Sequence, residues 1–364
     1  MPTPASSTLN IQQRIPLAPY TTFRIGGPAR FFCEVSSEAE LLEAVEFARG
    51  RGLKILVLGG GSNLLLSDSG YDGLVIHLSI NIPSHPKISG ASVEYQVAAG
   101  MDWDAFVLQV CQQDVSGIEC LAGIPGLVGA SPIQNIGAYG QEVADTLHAV
   151  RALDLQTLDF VTLPRDACGF TYRRSIFNST HRNRYIVTQV VFRFHIGATP
   201  QLTYADLAKH FADRTARGET PEPIEVYQAV REIRHGKGML LVEGEQDCRS
   251  AGSFFKNPVV PATFLTRIAT ALNIDGTTIP HWPAADRATG EALIKLPAAW
   301  LLERAGFHKG FSLGEAGISS RHTLALINRG HATANDIANI RDAIQKEVQA
   351  RFNIQLEQEP VEPS

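Results

Sequence analysis

The stretch Leu121 to Gly140, LAGIPGLVGASPIQNIGAYG, holds five glycines, two prolines and no formally charged side chain. Pro125, Pro132, Gln134 and Asn135 interrupt any helix, so it is not one of the long apolar segments of about twenty residues that cross a bilayer. Glycine is placed where backbone must approach something closely or take a positive φ. Exposed N–H groups on such loops suit phosphates. Two readings follow: a backbone-built cradle for a large, flat, phosphorylated ligand, or a set of tight turns between strands.

A second run, Gly59-Gly60-Gly61-Ser62-Asn63, favours the cradle. Ser37 and Glu40 have capping-box spacing, and Leu41, Leu42, Val45 and Ala48 recur at helical period. Gly50 and Gly52 then stop the helix before an apolar strand, Lys54 to Leu58. The triplet therefore follows the C-terminal end of a strand. It lacks the Gly-Lys-Ser/Thr ending of a P-loop and is not a Gly-x-Gly-x-x-Gly fingerprint opening a helix. A nucleotide site is expected, but neither an ATPase nor an ordinary Rossmann site.

At 364 residues, with 44% hydrophobic and 19% charged residues, two or three globular domains are expected. A net charge of −5 with no basic block argues against a nucleic-acid partner. Five scattered cysteines (33, 111, 120, 168 and 248) without a C-x-x-C pair suggest a reduced, cytoplasmic chain with no metal site. The start, MPTPASSTLNIQQRI, has no signal-peptide pattern, and no stretch reads as a membrane span.

Further strands are expected at Leu74 to Leu78, Val93 to Ala99, Val150 to Leu155, Phe160 to Leu163 and Arg184 to His195. Asp102 to Gln112 reads as a helix with Trp103, Phe106, Val107 and Val110 on one face. Arg231 to Lys237 reads as a solvated helix end. Beyond Ser250 come short helices at Ala262 to Leu272 and Ala298 to Ala305, around a loop at Ile279 to Gly290. A last helix has Thr333 as N-cap and Ile337, Ile340, Ile344 and Val348 as its buried stripe, followed by extended Phe352 to Leu356.

Three places combine reactive groups with constrained backbone. Cys168 to Ser175 carries Arg173 and Arg174 among aromatics, and Arg suits bidentate carboxylate binding or plain surface charge. Ser250 to Pro258 sets Ser253 before two aromatics, Lys256 and Asn257, as turn or as catalyst; without a Gly-x-Ser-x-Gly elbow a serine hydrolase is disfavoured. Glu357 and Glu359 would share one face of an extended segment.

In this order, TTFRIGG at 21–27, GGGSN at 59–63, the GIPG…QNIGAYG run, YRRS at 172–175, AGSFFKNP at 251–258 and LEQE at 356–359 resemble the UDP-N-acetylenolpyruvoylglucosamine reductases over nearly the whole chain. The resemblance implies an α+β protein with a two-subdomain α/β FAD-binding fold like that of the vanillyl-alcohol oxidases, plus a C-terminal α+β substrate-binding domain. The implied division is 1–80 and 81–240 for the two FAD subdomains, the second joined by a C-terminal strand at 352–364, and 241–351 for substrate. The implied FAD contacts are Gly59, Gly60, Gly61, Ser62, Asn63, Gly123, Gly126, Gly129, Ala130, Gln134, Asn135, Gly137, Ala138 and Tyr139. Ser253 would be the proton donor, completed by Arg173 and Glu359; Tyr204, Lys237, Asn257 and His322 would meet substrate.

The implied reaction is NADPH-dependent reduction of UDP-N-acetylglucosamine enolpyruvate through FAD, by a monomer, for peptidoglycan synthesis. Such chemistry leaves negative charge beside a carboxylate, which an arginine can oppose while a placed hydroxyl protonates the strongly basic carbon. Two positions depart from the family's habit. Gln358 stands where Pro is common, and His322 where type I relatives often have Gln, so His322 is either a substrate contact or an ordinary polar residue. A flavin oxidase of the same fold and a non-catalytic binding protein are the competing classes.

Overall fold

The computed structural model describes residues 9–285 and 292–363, so residues 286–290 of the expected loop at Ile279 to Gly290, and the terminal residues 1–8 and 364, lie outside the description. The chain forms two compact units. The first takes residues up to Ile15, Ala29–Gly61 and Tyr71–Gly236; the second takes Pro16–Pro28, Ser62–Gly70 and the residues from Lys237 onward.

The first unit begins with a four-stranded sheet in the order Gln12–Pro16, Pro28–Val35, Tyr71–Leu78, Lys54–Leu58. The last two strands run parallel, with Val57 opposite Ile76, and Pro28–Val35 is parallel to Tyr71–Leu78. The helix Glu38–Gly50 starts where the Glu40 N–H donates to the Ser37 hydroxyl, while the Glu40 carboxylate takes the N–H and hydroxyl of Ser36. Its face Leu41, Ala44, Val45 and Ala48 is fully buried with Leu74 and Ile76. The strand expected at Leu74 starts earlier because Gly73 lets it pass the neighbouring strand: a Cβ there would lie 2.4 Å from the Lys54 carbonyl oxygen.

The same unit continues into a five-stranded antiparallel sheet, ordered Phe160–Pro164, Leu147–Asp154, Tyr185–His195, Ser92–Ala98, Lys87–Ser89. Helices Trp103–Cys111 and Pro223–Gly236 add to its core, where Phe106 and Phe192 rings lie 4.9 Å apart and Trp103 is buried. Asp102 caps the first of these helices through the Ala105 N–H.

In the second unit, one three-stranded sheet runs Val259–Pro261, Ala292–Lys295, Trp282–Ala285, and another Ser312–Leu313, Ala316–Ile318, Leu326–Asn328. Around them lie helices Phe264–Leu272, Ala298–Arg304 and Ala334–Phe352. Thr333 and Asp336 form a complete capping box, and Ile337, Ile340, Ile344 and Val348 are fully buried. Phe23, Ile25 and Leu65 join this core from early in the sequence, and Asn328 donates to the Phe23 carbonyl.

The α+β class is as expected, but the chain end is not. Residues 352–364 were expected to join residues 81–240 as a strand. Instead, the described part of this segment packs in the second unit, with Phe352, Ile354 and Leu356 buried in its core and only isolated bridges pairing Gln358 with Phe255 and Val361 with Leu64. The alternating apolar residues are buried where Phe254, Phe255 and the long helix offer apolar surface.

Candidate active site

In the first unit the two glycine runs touch. A Cβ at Gly60 would lie 2.7 Å from the Cα of Gly126, which itself sits at φ +130°. The long run is stitched to the segment before helix Trp103–Cys111: Trp103 donates to Gly126, Val128 to Met101, and Gly129 to Ala99. The Trp103 indole N–H donates to the Leu121 carbonyl at 3.0 Å. Main-chain bonds thus fix the middle of the run, Gly126 to Gly129.

Gly123 is clamped at both polar atoms. Its N–H donates to Asp104 at 2.6 Å, and its carbonyl accepts from Arg234 Nε at 3.1 Å. Asp104 also accepts from Arg231 and from the Tyr227 hydroxyl, whose pKa is pushed up to about 12 by burial and by this carboxylate. The base cluster expected as a solvated helix end is therefore partly turned inward: Arg234 is buried, and burial lowers its pKa. The sequence does carry this signal, because Arg234 follows buried Val226 and Val230 at intervals of four along one helix face.

Asn135, expected to touch the cofactor, is fully buried at φ +48° and engaged within the protein. Its amide donates to Glu142 and to the Thr171 carbonyl, and its oxygen accepts from Ala144 N–H. The side chain fixes the loop's shape. Glu119, which sequence reading passed over, is likewise fully buried and accepts from Ser116, Gly117 and Gln141.

Arg173 takes φ +55°, and its guanidinium donates to the Gly137 carbonyl at 2.7 Å and lies 5.2 Å from the Tyr172 ring centre. A Cβ on Gly137 would come within 3.1 Å of that guanidinium. Tyr139 and Tyr204 meet edge to face at 5.1 Å, with Tyr204 exposed over 43% of its surface. These residues, the Gly59–Gly61 triplet and the 121–140 run belong to the first unit.

Ser62, Asn63, Lys237, Ser253, Asn257, His322 and Glu359 belong to the second. Asn63 binds its own unit's chain end, donating from its amide to the Glu359 carbonyl and accepting at its own carbonyl from Val361 N–H. The peptide of Phe254 links two segments: its N–H donates to Leu324 and its carbonyl accepts from Glu359 N–H, both at 2.8 Å. Half-buried Ser253 therefore sits beside both, and its Oγ lies 3.5 Å from His322 Nε2. Glu359 is half-buried, whereas Glu357 is exposed and paired to Lys256 at 2.5 Å. Asn257, expected in the substrate pocket, turns its oxygen to the Ala298 N–H and so starts helix Ala298–Arg304.

The profile of the FAD binding domain family matches residues 29–157, and that described as "UDP-N-acetylenolpyruvoylglucosamine reductase, C-terminal domain" matches residues 244–362. A UDP-N-acetylenolpyruvoylglucosamine reductase of Thermobifida fusca is 41% identical over 359 residues, 97% of this chain and 98% of that protein. The chain belongs to the UDP-N-acetylenolpyruvoylglucosamine reductase family. The reductase of Saccharopolyspora erythraea is 40% identical over 95% of this chain and 93% of its own length. The solved reductase of Thermus caldophilus covers 98% of this chain and 99% of its own at a TM-score of 0.63 and 26% identity.

The residues fit a flavin dinucleotide. Glycine backbone without obstructing side chains, as where Gly60 packs on Gly126, suits a flat ring and a diphosphate. The five cysteines are free and buried, with burial raising the thiol pKa of Cys33 and Cys120 to about 12 and of Cys168 to about 11. Such thiols are poor nucleophiles. Among the described residues no helix is long and apolar enough to cross a membrane.

Proposed function

We propose that this chain reduces UDP-N-acetylglucosamine enolpyruvate to UDP-N-acetylmuramate, with NADPH as donor, as a cytoplasmic monomer in peptidoglycan precursor synthesis. The observation that carries the reading most directly is Ser253, half-buried and set between segments 322–324 and 359 by the Phe254 peptide, in a chain that aligns end to end with reductases. Of the residues up to 240, those of the first unit serve FAD, and 241–351, within the second unit, serve substrate. FAD, when bound, supplies two-electron transfer from NADPH to the enolpyruvyl β-carbon.

The chain's own side chains handle the charge and the proton. Arg173 binds the substrate carboxylate and opposes the negative charge that spreads onto it. Its anchoring on the Gly137 carbonyl spares reorientation during the reaction. Ser253 gives the Oγ proton to the α-carbon. Glu359, half-buried with both main-chain polar groups engaged, holds the proton path in place. Lys237 meets the diphosphate, and Tyr204, steadied by Tyr139, covers the bound sugar nucleotide.

The test separates the two halves of turnover. Ser253→Ala is expected to take up FAD and to bleach anaerobically with NADPH at the wild-type rate, then to recover colour on adding the enolpyruvyl substrate at least about 100-fold more slowly. Wild-type recovery in this variant would refute Ser253 as the acid. Failure of the unmodified protein to recover with that substrate would refute the substrate itself.

A further inference from the structure

We propose that His322 is a positioning residue for the Ser253 hydroxyl rather than a substrate ligand; this rests on the reading of Ser253 as the acid. The 3.5 Å separation of His322 Nε2 from Ser253 Oγ is set by pinned backbone on both sides. His322 N–H donates to the Oγ of fully buried Ser319, and its carbonyl accepts from Ala325 N–H, which makes a tight turn. Two residues on, the Leu324 carbonyl takes the Phe254 N–H and so ties this turn to the residue after Ser253. Between them, Thr323 is buried and donates to Glu303 at 2.6 Å. The imidazole is thus delivered to the hydroxyl by a rigid corner, and catalytic hydrogen bonds of this length commonly shorten when substrate binds.

The chemistry asks for such a partner. As the Oγ–H bond breaks and the new C–H bond forms at the α-carbon, the electron pair of the O–H bond stays on Oγ. An Nε2–H donated to that oxygen forms a charge-assisted hydrogen bond that strengthens as the alkoxide develops. It also aims the hydroxyl proton away from the ring and toward the substrate. Solvent water then returns the proton to Oγ, and no net electron change occurs at either side chain.

His322→Phe and His322→Gln separate this role from substrate binding. In anaerobic rapid-mixing experiments His322→Phe should be reduced by NADPH normally but return to the oxidised spectrum with the enolpyruvyl substrate about 10- to 100-fold more slowly. In steady state kcat falls while KM holds. His322→Gln, whose amide N–H can donate to Oγ, should regain most of the loss. Combining His322→Phe with Ser253→Ala should be no worse than Ser253→Ala alone.

A readout independent of turnover is the ¹⁵N resonance of the His322 ring, which should shift in Ser253→Ala. Unchanged ring resonances, or a raised KM at constant kcat in His322→Phe, would overturn the proposal. Normal NADPH reduction checks that His322→Phe is folded; should it fail to fold, His322→Gln and the ring resonance decide. If Ser253→Ala itself turns over normally, the acid assignment falls and takes this role with it. A slow Ser253→Ala beside a normal His322→Phe removes only the role of His322.

Discussion

Gly60→Ala tests the claim that the two glycine runs form one backbone-built surface. The added Cβ would sit 2.7 Å from the Cα of Gly126, whereas carbon atoms pack at about 3.5–4.0 Å, so the runs must part by roughly 1 Å. No rotamer change can absorb this, because the obstacle is main chain, and the Gly126 carbonyl is held by the Trp103 N–H. Overpacking of this kind costs about 1–3 kcal/mol. If the loops part, that energy is lost from FAD binding, a weakening of about 5- to 150-fold; if they hold, it is lost from stability. Titration of apoprotein with FAD, followed by flavin fluorescence, measures the first, and urea unfolding of the same sample the second. Gly50→Ala is the control, since nothing lies within 4 Å of its Cβ position at the end of helix Glu38–Gly50, and it should be neutral or stabilising by up to about 1 kcal/mol. Gly60→Ala protein with wild-type FAD affinity and an unchanged urea midpoint would show that the contact between the runs is unimportant.

Arg173→Lys should cut kcat at least about 10-fold, because an ammonium cannot hold the Gly137 carbonyl and a carboxylate in one plane; steady-state kinetics with retained NADPH reduction checks it. Asn135→Ala strands the Ala144 N–H inside the protein and removes the amide donor to Glu142 and Thr171; it should cost about 1–3 kcal/mol in urea unfolding, with a loss under 1 kcal/mol counting against the loop-shaping role. Asp154→Asn should cost about 1–3 kcal/mol at neutral pH, since Arg184 donates to the buried Asp154 carboxylate at 2.7 Å. Hydrogen bonding from Arg184 holds the Asp154 pKa below its usual value. Its stabilisation is therefore present above the unfolded pKa of about 4 and is lost as pH falls through the lower folded value. Melts of both proteins from pH 7 to pH 3 should show the gap closing on the acid side.

Where local rules decide the outcome, the elements are legible in the residues. Thr333 and the Ile337, Ile340, Ile344, Val348 stripe place the last helix, and Lys54–Leu58 has the bounds its apolar run suggests. The glycine runs are legible as backbone surfaces because few other residues tolerate approach to 2.7 Å. What escapes is the assignment of polar side chains. Asn135 and Asn257 are expected to touch ligands; one side chain also bonds Glu142, Thr171 and Ala144 and the other a helix N-terminus. Nothing in a single sequence says which main-chain groups will need an amide partner. Arg234 escapes because a cation at a helix end ordinarily faces water, and only its register with Val226 and Val230 argues otherwise. The chain end escapes because alternating apolar residues suit any sheet or core that offers a groove.

The second unit's reliance on early residues also bears on how the protein is made. Asn328 donates to the carbonyl of Phe23, 305 residues earlier, and Phe23, Ile25 and Leu65 have their core among residues beyond 250. At ribosomal speeds of about 5–20 residues per second, these apolar side chains wait roughly 15–60 s for their partners to be synthesised. During that interval the nascent chain carries hydrophobic segments whose native burial is still to be made, so this core closes only once residues beyond 250 have left the ribosome.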